Sequence, residues 1–127
     1  MNDKLINLFE VAKHVSVHAY SPYSKFKVGA ALLTKSDKVY TGCNVENASY
    51  GVTNCAERTA IFKAVSEGER EFIAIAIYVD ADFIFPPCGA CRQVMSEFSS
   101  DMLVIYGNDS KIVESNISDL LPNSFSL

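Results

Sequence analysis

The chain has 127 residues, 49% of them hydrophobic, and its 11 Lys and Arg against 15 Asp and Glu give a formal net charge of −4. A chain of this length normally forms one domain, here residues 1–127, with a core that needs no covalent staples. The acidic balance disfavours nucleic-acid binding, because phosphate backbones select clustered Lys and Arg. The longest apolar run, Phe72–Val79, is far shorter than the about 20 residues that a membrane-spanning helix needs.

The start of the chain and its four cysteines indicate the compartment. Polar and acidic residues such as Asn2 and Asp3 interrupt the N-terminal segment, unlike the charged start and apolar core of a secretory leader. We therefore expect a cytoplasmic protein, in which disulfides are uncommon and clustered cysteines more often bind metal or take part in catalysis. Four cysteines could still pair in any of three ways.

The hydrophobic pattern, read in chain order, predicts alternating helices and strands. Leu5, Leu8 and Ala12 recur at helical spacing, and Pro22 disfavours continuation of this first helix. Phe72–Val79 is apolar without alternation, as expected of a strand that is covered on both faces. The predicted helices are residues 3–19, 55–66 and 88–98, with a helical turn at 117–121, and the predicted strands are 27–34, 38–44, 72–79, 102–106 and 111–114.

This order of elements predicts an α/β fold with three layers. Strand-helix-strand units favour parallel pairing through right-handed crossovers. The first two strands, joined by a turn at Ser36 and Asp37, form an antiparallel hairpin, and the last two can do the same. We expect a mixed five-stranded sheet with helices on both faces, in an α/β/α arrangement.

Three cysteines fall at the starts of two predicted helices. Cys55 opens one helix, and Cys88 and Cys91 open the next. Helix N-termini carry partial positive charge, which favours the metal-binding thiolate form. Three protein ligands leave a fourth zinc position open, as in catalytic sites, and the nearby Glu57 supplies the carboxylate that acid–base chemistry on water requires. A structural zinc site completed by Cys43 remains the alternative.

The sequence resembles a known family at these same positions. Cys55-Ala56-Glu57 followed by Pro87-Cys88-Gly89-Ala90-Cys91 is similar to the signature of the zinc-dependent cytidine deaminases. Residues 23–26, 28–31, 42–50 and the tail 120–125 resemble the small homotetrameric members of that family. The likeness extends over nearly the whole chain. The sequence departs from the family at position 27, where it has Lys27 and the family often has Pro.

The resemblance implies a cytidine-deaminase-like fold and hydrolysis of cytidine and 2′-deoxycytidine to uridine and 2′-deoxyuridine with release of ammonia, a reaction of pyrimidine salvage. It implies one zinc ion per subunit and a homotetramer with sites near subunit interfaces. It assigns the metal ligands to Cys55, Cys88 and Cys91 and the proton transfers to Glu57. Arg58 would donate hydrogen bonds to the ligand sulfurs. The implied substrate-binding residues are Phe26, Asn44, Glu46, Ala56 and, in a neighbouring subunit's site, Phe125.

Two further interpretations remain open beside the cytidine deaminase. The first is a deaminase of another aminopyrimidine compound, such as a blasticidin-like nucleoside antibiotic. The second is a noncatalytic zinc module, for which Glu57 would be dispensable and all four cysteines would bind metal. Among substrates, a nucleoside is favoured over a nucleotide, because no cluster of Lys and Arg or Gly-rich phosphate loop accompanies the site.

Overall fold

The computed structural model describes residues 1–127 and contains one mixed five-stranded sheet of strand order β2-β1-β3-β4-β5. Neighbouring strands pair antiparallel except β3 and β4, which are parallel. The expected mixed sheet and its two hairpins are therefore confirmed. The strands are β1 (Val28–Thr34), β2 (Val39–Cys43), β3 (Phe72–Val79), β4 (Leu103–Gly107) and β5 (Ile112–Asn116), and the helices are α1 (Asp3–Val15), α2 (Ala56–Ser66), α3 (Gly89–Phe98) and α4 (Ile117–Leu120).

Helices cover both faces of the sheet and complete the three layers. On one face, α1 buries Leu8, Phe9 and Ala12 against small and apolar side chains of β1 and β3. On the other face, α2, α3 and α4 pack against the side chains that point the opposite way. This double coverage explains why β1 is buried along its entire length, since successive residues of a strand face opposite sides.

The observed element boundaries differ from the predicted ones by a few residues. Helix α1 ends at Val15, and a short 3₁₀ turn over Ser16–His18 takes the place of its predicted last turn. The Ser16 hydroxyl donates to the Lys13 carbonyl at 2.6 Å, which satisfies a carbonyl at the helix end. No helix combines the length and apolar composition that a bilayer crossing requires.

The topology brings the starts of α2 and α3 together. Strands β2 and β3 both run antiparallel to β1, which lies between them, so they point the same way. The two strands are therefore not adjacent, and are separated by two strand spacings of about 4.8 Å each. Because α2 follows β2 and α3 follows β3, and both helices cover the same face, their N-termini meet at one edge of the sheet.

Gly42 lets α2 approach β2 closely at this edge. A Cβ atom at Gly42 would lie 2.6 Å from the Ala60 nitrogen and 2.7 Å from the Ala56 oxygen, both of the α2 backbone. We expect Gly42→Ala to lower the free energy of unfolding by about 1–3 kcal/mol, because a helix backbone must shift to admit the methyl group. Urea unfolding measures this change.

Gly51→Ala is the matched control, since a Cβ atom at Gly51 meets nothing within 4 Å. That variant should stay within about 0.5 kcal/mol of the wild-type stability. Equal stabilities for Gly42→Ala and Gly51→Ala would contradict the close approach of α2 to β2.

Candidate active site

A cavity of about 280 Å³ opens at the edge of the sheet where α2 and α3 begin. One part of its wall is apolar, formed by side chains of β1, β3 and the loops beside them. Another part is polar, and a third carries sulfur atoms and a carboxyl group. The principal lining residues are Ser24, Phe26, Val28, Asn44, Glu46, Cys55, Ala56, Glu57, Ile77, Phe85 and Cys88.

Three cysteine sulfurs converge beside this cavity. The Cys55 and Cys88 sulfurs are 3.9 Å apart, the Cys88 and Cys91 sulfurs are 3.3 Å apart, and all three lie within 4.8 Å of one another. Tetrahedral zinc with Zn–S bonds of about 2.3 Å separates its sulfurs by about 3.8 Å. The donor set and its spacing therefore fit zinc. Cys43 lies in β2 and is not part of this sulfur cluster.

The sulfurs lie at helix N-termini, as expected, and both helices begin one residue later than predicted, at Ala56 and Gly89. Cys55 is the N-cap of α2, and Cys88 is the N-cap of α3, where its sulfur accepts the Cys91 backbone N–H at 3.4 Å. The partial positive charge of a helix N-terminus favours thiolates there. The side-chain thiol of Cys91 and the guanidinium of Arg58, both beside the Cys55 sulfur, lower the pKa of Cys55 to about 5.

Arg58 places a positive charge against the sulfur cluster. Its Nη2 donates to the Cys55 sulfur at 3.3 Å, and its buried Nε has no hydrogen-bond partner. The hydrogen bond to Cys55 raises the pKa of Arg58, so the side chain stays charged. Three thiolates around a divalent zinc carry a net charge of −1, which this guanidinium offsets.

Glu57 lies in the first turn of α2 and lines the cavity. Only 5% of its surface is exposed. Burial, and then the negative charge of Cys55, raise its pKa to about 7. A carboxyl group with a pKa near neutrality can accept a proton and return it at the same pH. Its position beside the sulfurs suits proton transfer to and from a bound molecule.

Asn44 and Glu46 hold the loop that precedes β1. The Asn44 side chain donates to the Phe26 carbonyl at 2.8 Å and accepts the Val28 N–H at 2.9 Å. Glu46 accepts the backbone N–H groups of Tyr23 and Ser24, each at 3.0 Å, and the Ser24 hydroxyl. The Ser24 hydrogen bond is the main cause that lowers the pKa of Glu46. Both residues still line the cavity.

Aromatic side chains form part of the apolar wall. The Phe26 ring contacts Phe83 and Phe85 edge to face, with ring centroids 5.4 and 6.0 Å apart. Phe26 and Ala56 line the cavity, as expected. Phe125 is 71% exposed in the tail and does not line this cavity, so its role in a neighbouring subunit stays a prediction.

Phe85 and Ser24 line the cavity but are not predicted as site residues from the sequence. Phe85 belongs to the irregular segment between β3 and α3, where no hydrophobic periodicity indicates which side chains turn inward. Ser24 is a small polar residue in a turn, and its sequence context does not show its contact with Glu46, 22 residues later.

A buried carboxyl group beside three thiolates suited to zinc, on a three-layer α/β/α fold, defines a zinc-dependent hydrolytic site. Residues 2–107 match the family model described as the cytidine and deoxycytidylate deaminase zinc-binding region. The chain therefore belongs to the cytidine and deoxycytidylate deaminase family.

Individual proteins similar to this chain are consistent with its membership of this family. The chain is 58% identical to the cytidine deaminase of Halalkalibacterium halodurans over 109 residues, which are 84% of this chain and 83% of that protein. It superposes on the crystal structure of cytidine deaminase from Burkholderia pseudomallei with a TM-score of 0.91 and 49% identity, covering 98% of this chain and 100% of that one. It is also 33% identical to the blasticidin-S deaminase of Bacillus cereus, over 92% of this chain and 89% of that protein.

Proposed function

We propose that this chain deaminates cytidine and 2′-deoxycytidine by hydrolysis, giving uridine, 2′-deoxyuridine and ammonia. The observation that carries the proposal is the buried Glu57, which lines one cavity with Cys55 and Cys88, while Cys91 completes the sulfur cluster beside it. The cytidine deaminases among its relatives support the same reaction.

The three cysteines would hold one zinc ion per chain. When bound, zinc supplies Lewis acidity that brings the pKa of water toward neutrality. Three thiolate ligands add negative charge that opposes this effect. The N-termini of α2 and α3 and the guanidinium of Arg58 lie against the sulfurs and offset part of that charge.

Glu57 carries the protons of the reaction. It accepts one from the attacking water and passes it to the ring nitrogen next to the reacting carbon, so that the water oxygen can bond to the carbon bearing the amine. It then takes the second water proton from the hydroxyl now on that carbon and delivers it to the amine as the carbon–nitrogen bond breaks, so that the carbonyl forms and ammonia leaves. Burial raises the pKa of Glu57 above the usual range of a carboxyl group, which helps one side chain to act as base and then as acid.

Other cavity residues position the nucleoside. Phe26 packs on the pyrimidine ring, and the Ala56 backbone contacts the base near the metal. Asn44 and Glu46 bind the ribose hydroxyls with the hydrogen-bonding capacity that the loop leaves free. Phe125 closes the site of a neighbouring subunit.

A nucleoside fits this cavity better than a nucleotide does. No Lys or Arg lines it, and the Glu46 carboxylate repels a phosphate group. The 33% identity to a blasticidin-S deaminase makes an antibiotic that carries the same aminopyrimidine ring the second candidate substrate.

The test is to incubate the zinc-loaded protein with cytidine, 2′-deoxycytidine, 2′-deoxycytidylate and blasticidin S, and to record ammonia release and the absorbance change of the base. Turnover of the two nucleosides is expected. The absence of ammonia from both would reject the proposed function. Turnover of blasticidin S alone would select the second candidate.

We also propose that residues 1–127 form a single domain and that four copies of the chain assemble into a homotetramer. The enzyme would act in the cytoplasm, in pyrimidine salvage. Exposed aromatic side chains beside the cavity support subunit contacts there. Tyr23 and Tyr50 are 60% and 89% exposed and line one adjoining pocket with Ser24 and Glu46, and exposed apolar groups that lie together favour an interface.

Arg58→Ala tests the role of the guanidinium. We expect it to leave the fold intact and to weaken zinc retention by about 10–100-fold, because partners of metal ligands commonly have effects of this size. Competition with a chelator measures the change. Arg70→Ala is the control, since Arg70 donates a hydrogen bond to the Val65 carbonyl and lies outside the cavity. Unchanged zinc affinity and turnover in Arg58→Ala would rule out the role.

A further inference from the structure

One hydroxyl group links the polar and aromatic walls of the cavity. The Ser24 hydroxyl donates to Oε2 of Glu46 and accepts the backbone N–H of Phe26 at 3.1 Å. The Ser24 backbone N–H also donates to Oε1 of Glu46 at 3.0 Å. Ser24 therefore contacts Glu46, whose carboxylate is proposed to bind the sugar, and the backbone of Phe26, whose ring is proposed to pack on the base.

The hydrogen bonds to Glu46 use most of its accepting capacity. A carboxylate offers about four lone-pair directions. Oε1 accepts two backbone N–H groups, from Tyr23 and Ser24, and Oε2 accepts only the Ser24 hydroxyl. The remaining lone pair is thus on Oε2, the oxygen whose orientation the Ser24 hydroxyl sets. A sugar hydroxyl that binds Glu46 must meet this oxygen.

The backbone next to Ser24 is held in an uncommon conformation. Lys25 has a φ of 68°, in the left-handed region that residues other than Gly rarely adopt. Its N–H donates to the Ser21 carbonyl at 3.0 Å. Such a conformation persists only where surrounding contacts determine it, and the bonds between Ser24 and Glu46 are among those contacts.

We propose that Ser24 is a positioning residue that orients Glu46 for recognition of the sugar hydroxyls. This inference rests on the proposed function and adds a residue to it. The Ser24 hydroxyl sets the orientation of Glu46 Oε2, and the Phe26 N–H orients that hydroxyl. Asn44 holds Phe26 and Val28 independently, and the backbone N–H groups of Tyr23 and Ser24 still donate to Glu46 Oε1 without the hydroxyl. The loop therefore keeps its conformation when the Ser24 hydroxyl is removed.

The experiment compares Ser24→Ala with the wild type on cytidine and on 2′,3′-dideoxycytidine, which lacks the 2′ and 3′ hydroxyls and keeps the 5′ hydroxyl. With cytidine, KM should rise about tenfold, near the lower end of the cost of losing a hydrogen bond to a charged group, while kcat changes less than threefold. With 2′,3′-dideoxycytidine, kcat/KM should fall less than threefold, because Glu46 has no 2′ or 3′ hydroxyl to bind. Ser24→Thr keeps a hydroxyl and should restore KM for cytidine to within threefold of the wild-type value.

Ser36→Ala is the matched control. The Ser36 hydroxyl also donates to a carboxylate, Glu69 Oε1 at 2.9 Å, but Ser36 lies at the opposite end of β1, outside the cavity. Its kinetics should equal those of the wild type. Equal losses of kcat/KM on both substrates in Ser24→Ala, or no loss on cytidine, would overturn the inference. A wild-type protein without activity on cytidine would instead reject the proposed function.

Discussion

Replacing Glu57 with Gln is expected to lower kcat for cytidine by as much as about 10⁴-fold, the upper range for loss of a general acid–base group. The amide has nearly the same size and can still form hydrogen bonds, but it cannot accept and return a proton at neutral pH. Since Glu57 is not one of the clustered sulfur ligands, the zinc content should stay at one ion per chain. Stopped assays of ammonia release, with metal analysis of the same samples, measure both quantities.

Glu67→Gln is the control for this variant. Glu67 is an exposed residue at the C-terminal end of α2, so the same chemical change there should leave kcat within twofold of wild type. If Glu57→Gln kept more than a tenth of the wild-type kcat, another group would have to carry the protons. A silent Glu57→Gln in a protein that retains zinc would support the noncatalytic zinc module.

Replacing Cys91 with Ala is expected to remove stoichiometric zinc and with it all measurable turnover. Cys91 is fully buried in the first turn of α3, and its sulfur completes the three-sulfur cluster. A residue that only supports a metal ligand commonly contributes about 10–100-fold to metal affinity. Loss of a ligand itself should therefore lower the zinc affinity by more than about 100-fold. Chelator competition monitored by zinc release measures the affinity.

Cys43→Ala is the matched control because Cys43 is a half-buried cysteine outside the cluster. It should bind zinc and turn over cytidine as the wild type does. Loss of zinc from both variants would instead indicate a four-cysteine structural site. Retention of tight zinc in Cys91→Ala would show that the ion is held elsewhere.

Much of the fold follows from local sequence patterns. The apolar run Phe72–Val79 predicts β3 with its exact bounds, because a strand covered on both faces has no competing periodicity. The end of α1 was predicted less well. Helix α1 ends four residues before the predicted limit at 19, where the 3₁₀ turn over Ser16–His18 begins and the Ser16 hydroxyl donates to the Lys13 carbonyl. Such a helix end leaves no clear periodic signal in the sequence.

Part of the candidate site can likewise be predicted from local sequence patterns, and part cannot. The spacing of Cys55, Cys88 and Cys91 predicts a metal cluster, since residues at helix starts can be located from local patterns. The contacts of Asn44 and Ser24 could not be predicted, because their partners lie 16 to 22 residues away in sequence. Only the folded hairpin and its loops bring those groups within hydrogen-bond distance.

The separation of the sulfur donors along the chain has a consequence for unfolding. Cys55 and Cys88 are 33 residues apart, and the segment between them contains α2 and β3. An ion that joins their sulfurs closes a loop of this length, and a cross-link of that size removes chain entropy worth about 3–4 kcal/mol from the unfolded ensemble. The three side chains proposed to hold the metal would then tie the start of α2 to the start of α3, much as a disulfide does. Removing the metal would destabilise the fold as well as stop the chemistry.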